Sequence, residues 1–376
     1  MRQTDLQPPD VRQPGPGHAE LTPRDWLHRN STPFLLGAGM LLVAGVTWLI
    51  GESLVERIVT VMFIDVILVL ALQVFMGNSG ILSFSVAGFM GIGAYGSVLF
   101  SMTPAAKAAA LPDLYAFLAP VHLPFVVSLL LGGLIAALVA AVVSYPLMRL
   151  SDAAGVITIF SLLIIINVVL VHWSVVTNGP RTLFGVDRYT YLGTTVGFAV
   201  AFLGVAWWFK ESRVGLRLRA SRDDAHAASS IGINIVAMRY AAFVLSAFMA
   251  GFAGALWAHF ITSFSPYAFY LSAMFVFLAM LVIGGPNGVS GAVVGTVLVT
   301  VLREGLRSIE NNVNMAHLLP GGLFGFTEIV LAALLIVILI LRPGGIMGGT
   351  EIRWPPAGGK PGSTGGPGGT GESPRV

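Results

Sequence analysis

The chain has no cysteine and few charged residues, and each absence excludes a class of protein. Without thiols it forms neither disulfide bonds nor thiolate metal sites, and it cannot use cysteine catalysis. Charged residues make up only 10% of the 376 residues, whereas 55% are hydrophobic. A soluble domain carries about 25% charged residues, so the composition indicates an integral membrane protein.

Motifs for catalysis are also missing from the sequence. No GxxxxGK[ST] phosphate loop occurs, and the single Gly-Lys pair, Gly359-Lys360, lies in a Gly- and Pro-rich stretch. We find no metal ligand set, no catalytic triad and no carboxylate pair at a spacing suited to hydrolysis. We therefore expect no enzymatic activity and no cofactor on this chain. If ATP drives the protein, ATP and Mg²⁺ bind to partner chains.

Apolar runs of about 20 residues, the length that crosses a bilayer, recur along the chain. We predict an all-α integral membrane protein, a polytopic helical bundle with about ten transmembrane helices. The predicted spans are residues 34–50, 57–76, 80–100, 124–148, 153–175, 189–209, 239–262, 270–284, 289–303 and 323–341. The span 270–284 is short, which is typical of a re-entrant or tilted helix. The segment 104–123 is interpreted as an external loop that could contain a short interfacial helix.

The two ends of the chain differ from the apolar middle. Residues 1–33 are polar and rich in proline, which predicts a disordered cytoplasmic tail. Residues 347–376 are mostly Gly, Pro, Ser and Thr, which predicts a second disordered tail. The membrane domain is accordingly predicted at 34–346, with a polar loop at 211–238.

The distribution of cations predicts the orientation. With both termini in the cytoplasm, the inside segments hold 15 of the 21 Lys and Arg residues and the outside segments hold 6. This bias follows the positive-inside rule. We therefore expect a multi-pass protein of the cytoplasmic membrane, embedded in the lipid bilayer. Arg303 and Arg307 fit this topology poorly, because it places them outside.

The polar loop contains signals for a short helix. Asp223 or Asp224 can accept hydrogen bonds from the free N–H groups of a first helical turn, and Gly232 can end the helix. The alanines between them favour a helix of about two turns. An ordinary solvated loop is the alternative interpretation. The combination of cap, helix and glycine stop favours a protein-docking element.

Two glycine clusters interrupt the apolar runs. Residues 77–95 predict either close helix packing through small residues or a broken helix whose backbone lines a solute path. The candidate pathway residues there are Asn78, Ser79, Gly80, Ser83, Ser85, Gly88, Gly91, Gly93 and Tyr95. The second cluster, Gly284, Gly285 and Gly288, predicts either a tight turn or a gating element.

Asp65 is the one acidic residue that we place near the middle of a predicted span. A carboxylate in the bilayer core is costly, so its side chain is expected to face the helix bundle or a cavity. It therefore joins the candidate pathway residues, with a structural hydrogen bond to a neighbouring helix as the alternative.

Five motifs resemble those of the permeases of branched-chain amino acid ABC importers, the LivH/LivM family. The pattern Arg222-Asp223-x-x-x-Ala227-Ala228-x-x-x-Gly232-Ile233-Asn234 is similar to the cytoplasmic coupling loop of such permeases. The other motifs are Gly77-x-x-Gly80-x-Leu82-Ser83-Phe84 with 87–95, the stretch 242–256, Gly284-Gly285-x-x-Gly288, and Arg342-Pro343-x-Gly345. The resemblance covers 57–346, and the long N-terminal region and the Arg-Pro ending are closer to the LivM type.

The resemblance implies a permease subunit that translocates branched-chain or related amino acids. It implies as partners a second, LivH-type permease subunit, two cytoplasmic ATP-binding subunits and an extracytoplasmic solute-binding protein, with no nucleic acid. Coupling to the ATPase is assigned to Arg219, Arg222, Asp223, Asp224, Ala227, Ala228, Gly232 and Asn234.

The chain departs from the family pattern in places. Ala225 and Ser229 stand where the family often has Glu, and Ser85-Val86 stands where it often has Gly-His. The last departure weakens any transfer of substrate identity, so urea, short amides and aromatic acids are alternative substrates. A secondary transporter that uses Asp65 as an ion site is a further alternative.

Overall fold

The structure, a computed structural model, describes residues 23–352 except 151, 316–324, 343 and 349. Residues Pro33–Glu351 form one compact unit; of the described residues, 23–32 and Ile352 fall outside it. The predicted tail segments 1–22 and 353–376 lie outside the described residues. The described part contains fourteen α-helices.

The helices follow one another with short connections. The first seven are α1 (Pro23–Ile50), α2 (Ser53–Leu72), α3 (Val86–Ser101), α4 (Pro104–Ala110), α5 (Phe125–Leu147), α6 (Asp152–His172) and α7 (Ser174–Thr177). The remaining seven are α8 (Leu192–Glu211), α9 (Arg213–Asp223), α10 (Ala225–Ser230), α11 (Ile235–Ile261), α12 (Leu271–Gly284), α13 (Val289–Met315) and α14 (Phe326–Leu341).

Eight segments of the described chain are helical, long and apolar enough to cross a membrane, and α3 and α14 are shorter apolar helices. Together these ten helices coincide one by one with the ten predicted spans. The prediction of an all-α polytopic membrane protein is thereby confirmed. The predicted short helix in 104–123 is also present as α4, where the Lys107 ammonium donates to the carbonyls of Leu118 (2.9 Å) and Val121.

Three predicted boundaries were wrong. Helix α1 begins at Pro23, so residues 23–33 are helical, as a proline at the first helical position favours. Helix α13 continues to Met315 rather than ending at 303, because the polar residues after 303 continue the helix and give it a polar face. The C-terminal segment stays packed to Glu351, since the N–H groups of Ile346 and Met347 donate to the carbonyls of Ile283 and Gly284.

The centre of the unit is built where α3, α5 and α11 approach each other through glycines. A Cβ placed on Gly254 would lie 2.0 Å from the Met90 carbonyl oxygen, and one on Gly93 would lie 2.0 Å from the Gly251 oxygen. A Cβ on Gly132 would lie 2.6 Å from the Gly93 oxygen. Such contacts bring the helix backbones together, as small residues do in membrane bundles.

The path from α2 to α3 is broken. Helix α2 ends in a π-helical turn, Gln73–Gly77, and the chain is irregular from Gly80 to Ser85 before α3 begins. Gly80 has φ +75°, a conformation that glycine adopts without strain. The interruption that the glycine cluster predicts in this apolar run is therefore present; that its backbone lines a solute path stays a prediction.

Candidate functional site

The polar loop folds into two short helices. Asp224 caps α10 by accepting hydrogen bonds from His226 N and Ala227 N, both at 2.9 Å. At the other end, Gly232 N donates to the Ser229 carbonyl and Ile233 N to the Ala228 carbonyl, and Gly232 has φ +83°. These two bonds form a Schellman motif. The predicted cap, short helix and glycine stop are confirmed; the preceding helix α9 was not predicted.

The remaining predicted coupling residues have different surroundings. Ala228 is buried, whereas Asp223 and Ala227 are exposed. Asn234 caps α11 by accepting a hydrogen bond from Ala237 N at 3.1 Å. The surface that α10 offers to a partner is therefore made by its exposed residues and by Ile231, which is 77% exposed.

Arg222 connects this loop to both helix breaks. Its Nη1 donates to the Gly77 carbonyl at 2.7 Å, where the π-turn ends, and to Asn287 Oδ1 at 2.8 Å, in the turn between α12 and α13. Its side chain also lies over Gly80, since a Cβ there would be 2.7 Å from Arg222 Cγ. We call these three contacts the Arg222 clamp. One side chain thereby joins α9 to α2 and to the α12–α13 turn.

Polar groups without partners lie beside the clamp. Both amide atoms of Gln73 and the Oδ1 of Asn78 are buried without a hydrogen bond among the described residues. Gln73 Nε2 lies 3.1 Å from a Cβ built on Gly77, and that same Cβ would be 2.2 Å from the Pro286 carbonyl. Unpaired buried amides are rare in folded proteins, and π-turns are frequent at functional sites. These features mark the junction as part of the candidate site.

A second contact ties the C-terminal segment to the same end of the bundle. The Glu351 carboxylate pairs with the Lys210 ammonium at the end of α8, and both side chains are 5% exposed. The same carboxylate accepts hydrogen bonds from Val289 N and Ser290 N, each at 3.0 Å, and from the Ser290 hydroxyl. It thereby caps the N-terminus of α13, where a negative charge is stabilising. Arg219 adds a bond from Nη2 to the Lys210 carbonyl at 2.9 Å.

Replacing Glu351 with glutamine is expected to destabilise this end of the protein by about 3–5 kcal/mol, because it leaves Lys210 buried without its counter-ion. Burial raises the pKa of Glu351, but the Lys210 ammonium and the Ser290 donors outweigh it and hold the pKa below its ordinary 4.5. The stabilisation is therefore complete above pH 4.5 and is lost as the pH falls through the lowered value.

Thermal unfolding in detergent between pH 3 and pH 7 measures this effect. The wild type should lose stability at acidic pH, and the Glu351→Gln variant should show less of that loss. Glu52→Gln, at an exposed position before α2, is the matched control and should follow the wild type. An unchanged melting temperature in Glu351→Gln would contradict the assigned contact.

A cavity of about 990 Å³ opens at the other end of the bundle. One face each of α2, α11, α12 and α13 lines it. On α2 the lining residues are Leu54, Arg57, Ile58, Val61 and Asp65, and on α13 they are Thr300, Arg303, Glu304, Arg307, Ser308, Asn311 and Asn312. Both sets repeat every three or four residues, which places each set on a single helix face.

The cavity and the clamp are joined by the same helices. Helix α2 runs from the cavity to the π-turn, α12 runs from the cavity to its glycine turn, and α13 runs from the Glu351 contact back to the cavity. A displacement of α9 would therefore act on three helices that line the cavity.

Of the predicted pathway residues, Asp65 lines this cavity, and the nine others, all described, do not. The hydroxyls of Ser83 and Ser85 are buried and lie 3.3 Å apart. Gly88 and Gly91 pack closely against α6, with a Cβ 3.0 Å from Ile166 and 2.9 Å from Leu170. These are contacts of close helix packing.

Among the other pathway residues, Asn78 and Ser79 have local hydrogen-bond partners, whereas Tyr95 packs against an aromatic ring. Asn78 Nδ2 donates to the Val74 carbonyl at 2.9 Å, and Ser79 Oγ accepts from Ile81 N at 3.2 Å. Tyr95 is 2% exposed, its ring packs on Phe264 at 5.0 Å between centroids, and its hydroxyl has no partner among the described residues.

The three predicted gating glycines lie where α12 turns into α13. A Cβ on Gly284 would be 1.9 Å from the Gly291 oxygen, and Gly285 has φ +118°. A Cβ on Gly288 would be 3.3 Å from Glu351 Oε1. The tight-turn interpretation is thereby confirmed; gating remains a prediction.

Several residues of these two sites were not predicted. Thr300 and Arg303 could have been found, because the helical repeat of polar residues continues past 303. Asn287, Lys210 and Glu351 act through contacts with residues that are 65, 141 and 62 positions away, respectively. A sequence pattern within one segment cannot predict contacts between residues so far apart in the chain.

The fold and its two sites define a multi-pass helical membrane protein with a polar loop at one end and a cavity at the other. A family profile described as "Branched-chain amino acid transport system / permease component" matches residues 54–339. The chain belongs to this family of branched-chain amino acid ABC transporter permeases, so the resemblance drawn from its motifs is confirmed.

Individual relatives agree with this assignment. The chain is 27% identical over 344 residues to the high-affinity branched-chain amino acid transport system permease protein LivM of Salmonella typhimurium, covering 82% of this chain and 73% of LivM. It is 31% identical over 154 residues to LivH of Escherichia coli, covering 41% of this chain and 46% of LivH.

A third relative has a different named substrate. The chain is 27% identical over 240 residues to the nucleoside ABC transporter permease protein NupC of Lactococcus lactis, covering 60% of this chain and 73% of NupC. No solved structure matches the chain. The match to LivM covers a larger share of this chain than the match to NupC does.

Proposed function

We propose that this chain is a transport subunit of an importer for branched-chain or related amino acids, driven by ATP hydrolysis on partner subunits. The Arg222 clamp carries this proposal, because it joins the polar loop to helices that line the cavity. A loop held in this way can pass a movement of a docked partner to the solute path.

The loop and the family support the proposed partners. A second, LivH-type permease subunit pairs with this chain, two ATP-binding subunits dock on α9 and α10, and a solute-binding protein delivers the substrate. ATP and Mg²⁺ are bound by the ATP-binding subunits. The exposed residues of α10 and Ile231 suit docking, since the caps at both ends of α10 hold that surface in place.

The distribution of cations supports the proposed orientation. We assign the polar loop to the cytoplasm, in agreement with the positive-inside rule. The cavity then opens to the extracytoplasmic side, where a binding protein delivers solute. We assign the chain to the cytoplasmic membrane, with both termini in the cytoplasm.

ATP-dependent leucine uptake by the reconstituted complex tests this function. The Gly232→Arg variant is expected to lower uptake more than about tenfold, as an interface does when it loses over about 1.4 kcal/mol. It puts a bulky cation on the docking surface at φ +83°. Gly232→Asn is the matched control, because asparagine tolerates this conformation and should keep uptake near the wild-type rate.

The other outcomes separate the alternatives. If leucine is not taken up but urea, an amide or an aromatic acid is, the importer proposal stands with another substrate. If a proton or sodium gradient drives uptake without ATP, the chain is a secondary transporter instead, and Asp65 becomes its ion site.

A further inference from the structure

The inner end of the cavity holds polar groups that have no partner among the described residues. Asp65 is 5% exposed, and no described residue donates a hydrogen bond to its carboxylate. Thr300 is 7% exposed, and its hydroxyl has no partner among the described residues. Buried polar groups nearly always have partners, and a carboxylate within a membrane span is costly without one. We therefore expect the cavity to supply the partner.

Asp65 and Thr300 lie deep in the cavity, and the cavity has room for a small solute. Asp65 is the innermost lining residue of α2, about 18 Å along the helix from Ser53 at 1.5 Å per residue. Thr300 is the innermost lining residue of α13. The volume of about 990 Å³ is at the upper end of ligand pockets, so the cavity has room for a small solute and its water.

The charges around the cavity are balanced. Three guanidinium groups line it, from Arg57, Arg303 and Arg307, and three carboxylates, from Asp65, Glu304 and Glu328. Arg303 is half-buried and attracts the Asp65 carboxylate without pairing with it, whereas Arg57 and Arg307 are exposed. A site with both signs at depth suits a zwitterion better than a simple anion or cation.

Apolar side chains form the rest of the wall. Trp257 and Phe260 of α11 and Val276 and Phe277 of α12 line the cavity, with Val61 of α2. This surface suits an aliphatic side chain, because its contacts are mainly apolar; among these five side chains only Trp257 carries a hydrogen-bonding group, its indole N–H.

We propose that this cavity is the substrate site, and that it takes a zwitterionic amino acid with an aliphatic side chain. Asp65 and Thr300 accept hydrogen bonds from the α-ammonium group, Arg303 donates to the carboxylate, and Trp257 and Phe277 contact the side chain. This assignment rests on the proposed function and adds the site and the roles of its residues.

Binding of radiolabelled leucine to the purified complex in nanodiscs, without binding protein, tests the site. Two analogues test the two charged groups of leucine separately. The first, 3-methylbutylamine, lacks the carboxylate, and the second, 4-methylpentanoate, lacks the ammonium. Asp65→Asn is expected to weaken leucine and the amine about 10- to 100-fold, the loss for a hydrogen bond to a charged group. Binding of 4-methylpentanoate should change less than about twofold, since it makes no contact with Asp65.

Helix α13 offers a matched pair of variants. Thr300→Val is expected to weaken leucine about 3- to 10-fold, because it removes the unpaired hydroxyl. Thr296→Val removes a hydroxyl one turn away that donates to the Ala292 carbonyl at 2.8 Å and does not line the cavity, so it should leave binding unchanged. If the complex with Asp65→Asn does not assemble, the pair Thr300→Val and Thr296→Val tests the proposed site instead.

Three results would overturn the assignment. The first is a leucine affinity that Asp65→Asn does not change, or that Thr300→Val does not change if the Asp65→Asn complex does not assemble. The second is an equal loss of affinity for leucine and both analogues in Asp65→Asn. The third is ion-driven uptake without ATP that is lost in Asp65→Asn, which would make Asp65 an ion site. If the wild type shows ATP-driven uptake while Asp65→Asn leaves leucine binding unchanged, only the assignment of this substrate site fails. If ATP-driven uptake is absent, the proposed function fails.

Discussion

Replacing Arg222 with alanine is expected to separate ATP hydrolysis from transport. The variant loses the hydrogen bonds to the Gly77 carbonyl and to Asn287, so α9 is no longer joined to either helix break. Two bonds from a charged donor are worth about 3 kcal/mol or more together. We expect uptake to fall more than about tenfold, while ATP hydrolysis by the partner subunits stays within about threefold.

Uptake and ATPase activity, measured on the same proteoliposomes, check this prediction. Arg217→Ala is the matched control, because it removes an exposed cation from the same helix and should leave both activities unchanged. Asn287→Ala removes one of the two hydrogen bonds of the Arg222 clamp and should give an intermediate loss of uptake. Equal losses in Arg222→Ala and Arg217→Ala would show that the net charge of the loop matters rather than the clamp.

Replacing Gly254 with leucine is expected to prevent the membrane unit from folding. A Cβ at this position would lie 2.0 Å from the Met90 carbonyl oxygen, a backbone atom that no rotamer change can move away. Helices α3 and α11 would have to separate, and overpacking of a tight core costs about 1–3 kcal/mol even for small additions. We expect Gly254→Ala to lower the melting temperature and Gly254→Leu to give no monodisperse protein.

Gly204 on α8 provides the control for this pair. A Cβ there meets nothing within 4 Å, so Gly204→Ala and Gly204→Leu should fold like the wild type. Size-exclusion profiles and melting temperatures in detergent give the comparison. Monodisperse Gly254→Leu protein with a wild-type melting temperature would refute the close α3–α11 contact.

Local features of this protein were predictable because short stretches of sequence encode them. The cap at Asp224 and the stop at Gly232 need only neighbouring residues, and the break after Gly77 follows from adjacent glycines. Hydropathy located the ten apolar helices for the same reason, since bilayer thickness fixes the length of a run.

The sites were less predictable because distant segments build them. Arg222 was predicted to dock an ATPase, yet its guanidinium reaches Gly77 and Asn287 within this chain. Glu351 was assigned to a disordered tail because it lies in a segment that is mostly Gly, Pro, Ser and Thr, while its partners lie on α8 and α13. Helix α13 was predicted to end at Arg303 because the hydropathy falls there, although the helix continues to Met315 with a polar face.

The absence of cysteine allows a direct measurement of whether the loop controls the cavity. A single cysteine at Ser272, an exposed lining residue of the cavity, can be labelled by a membrane-impermeant maleimide in the reconstituted complex. We expect the labelling rate to change on ATP binding in the otherwise wild-type chain, and to stay constant when Arg222→Ala is added. A labelling rate that does not change on ATP binding, or that changes equally with and without Arg222→Ala, would contradict the coupling of loop and cavity.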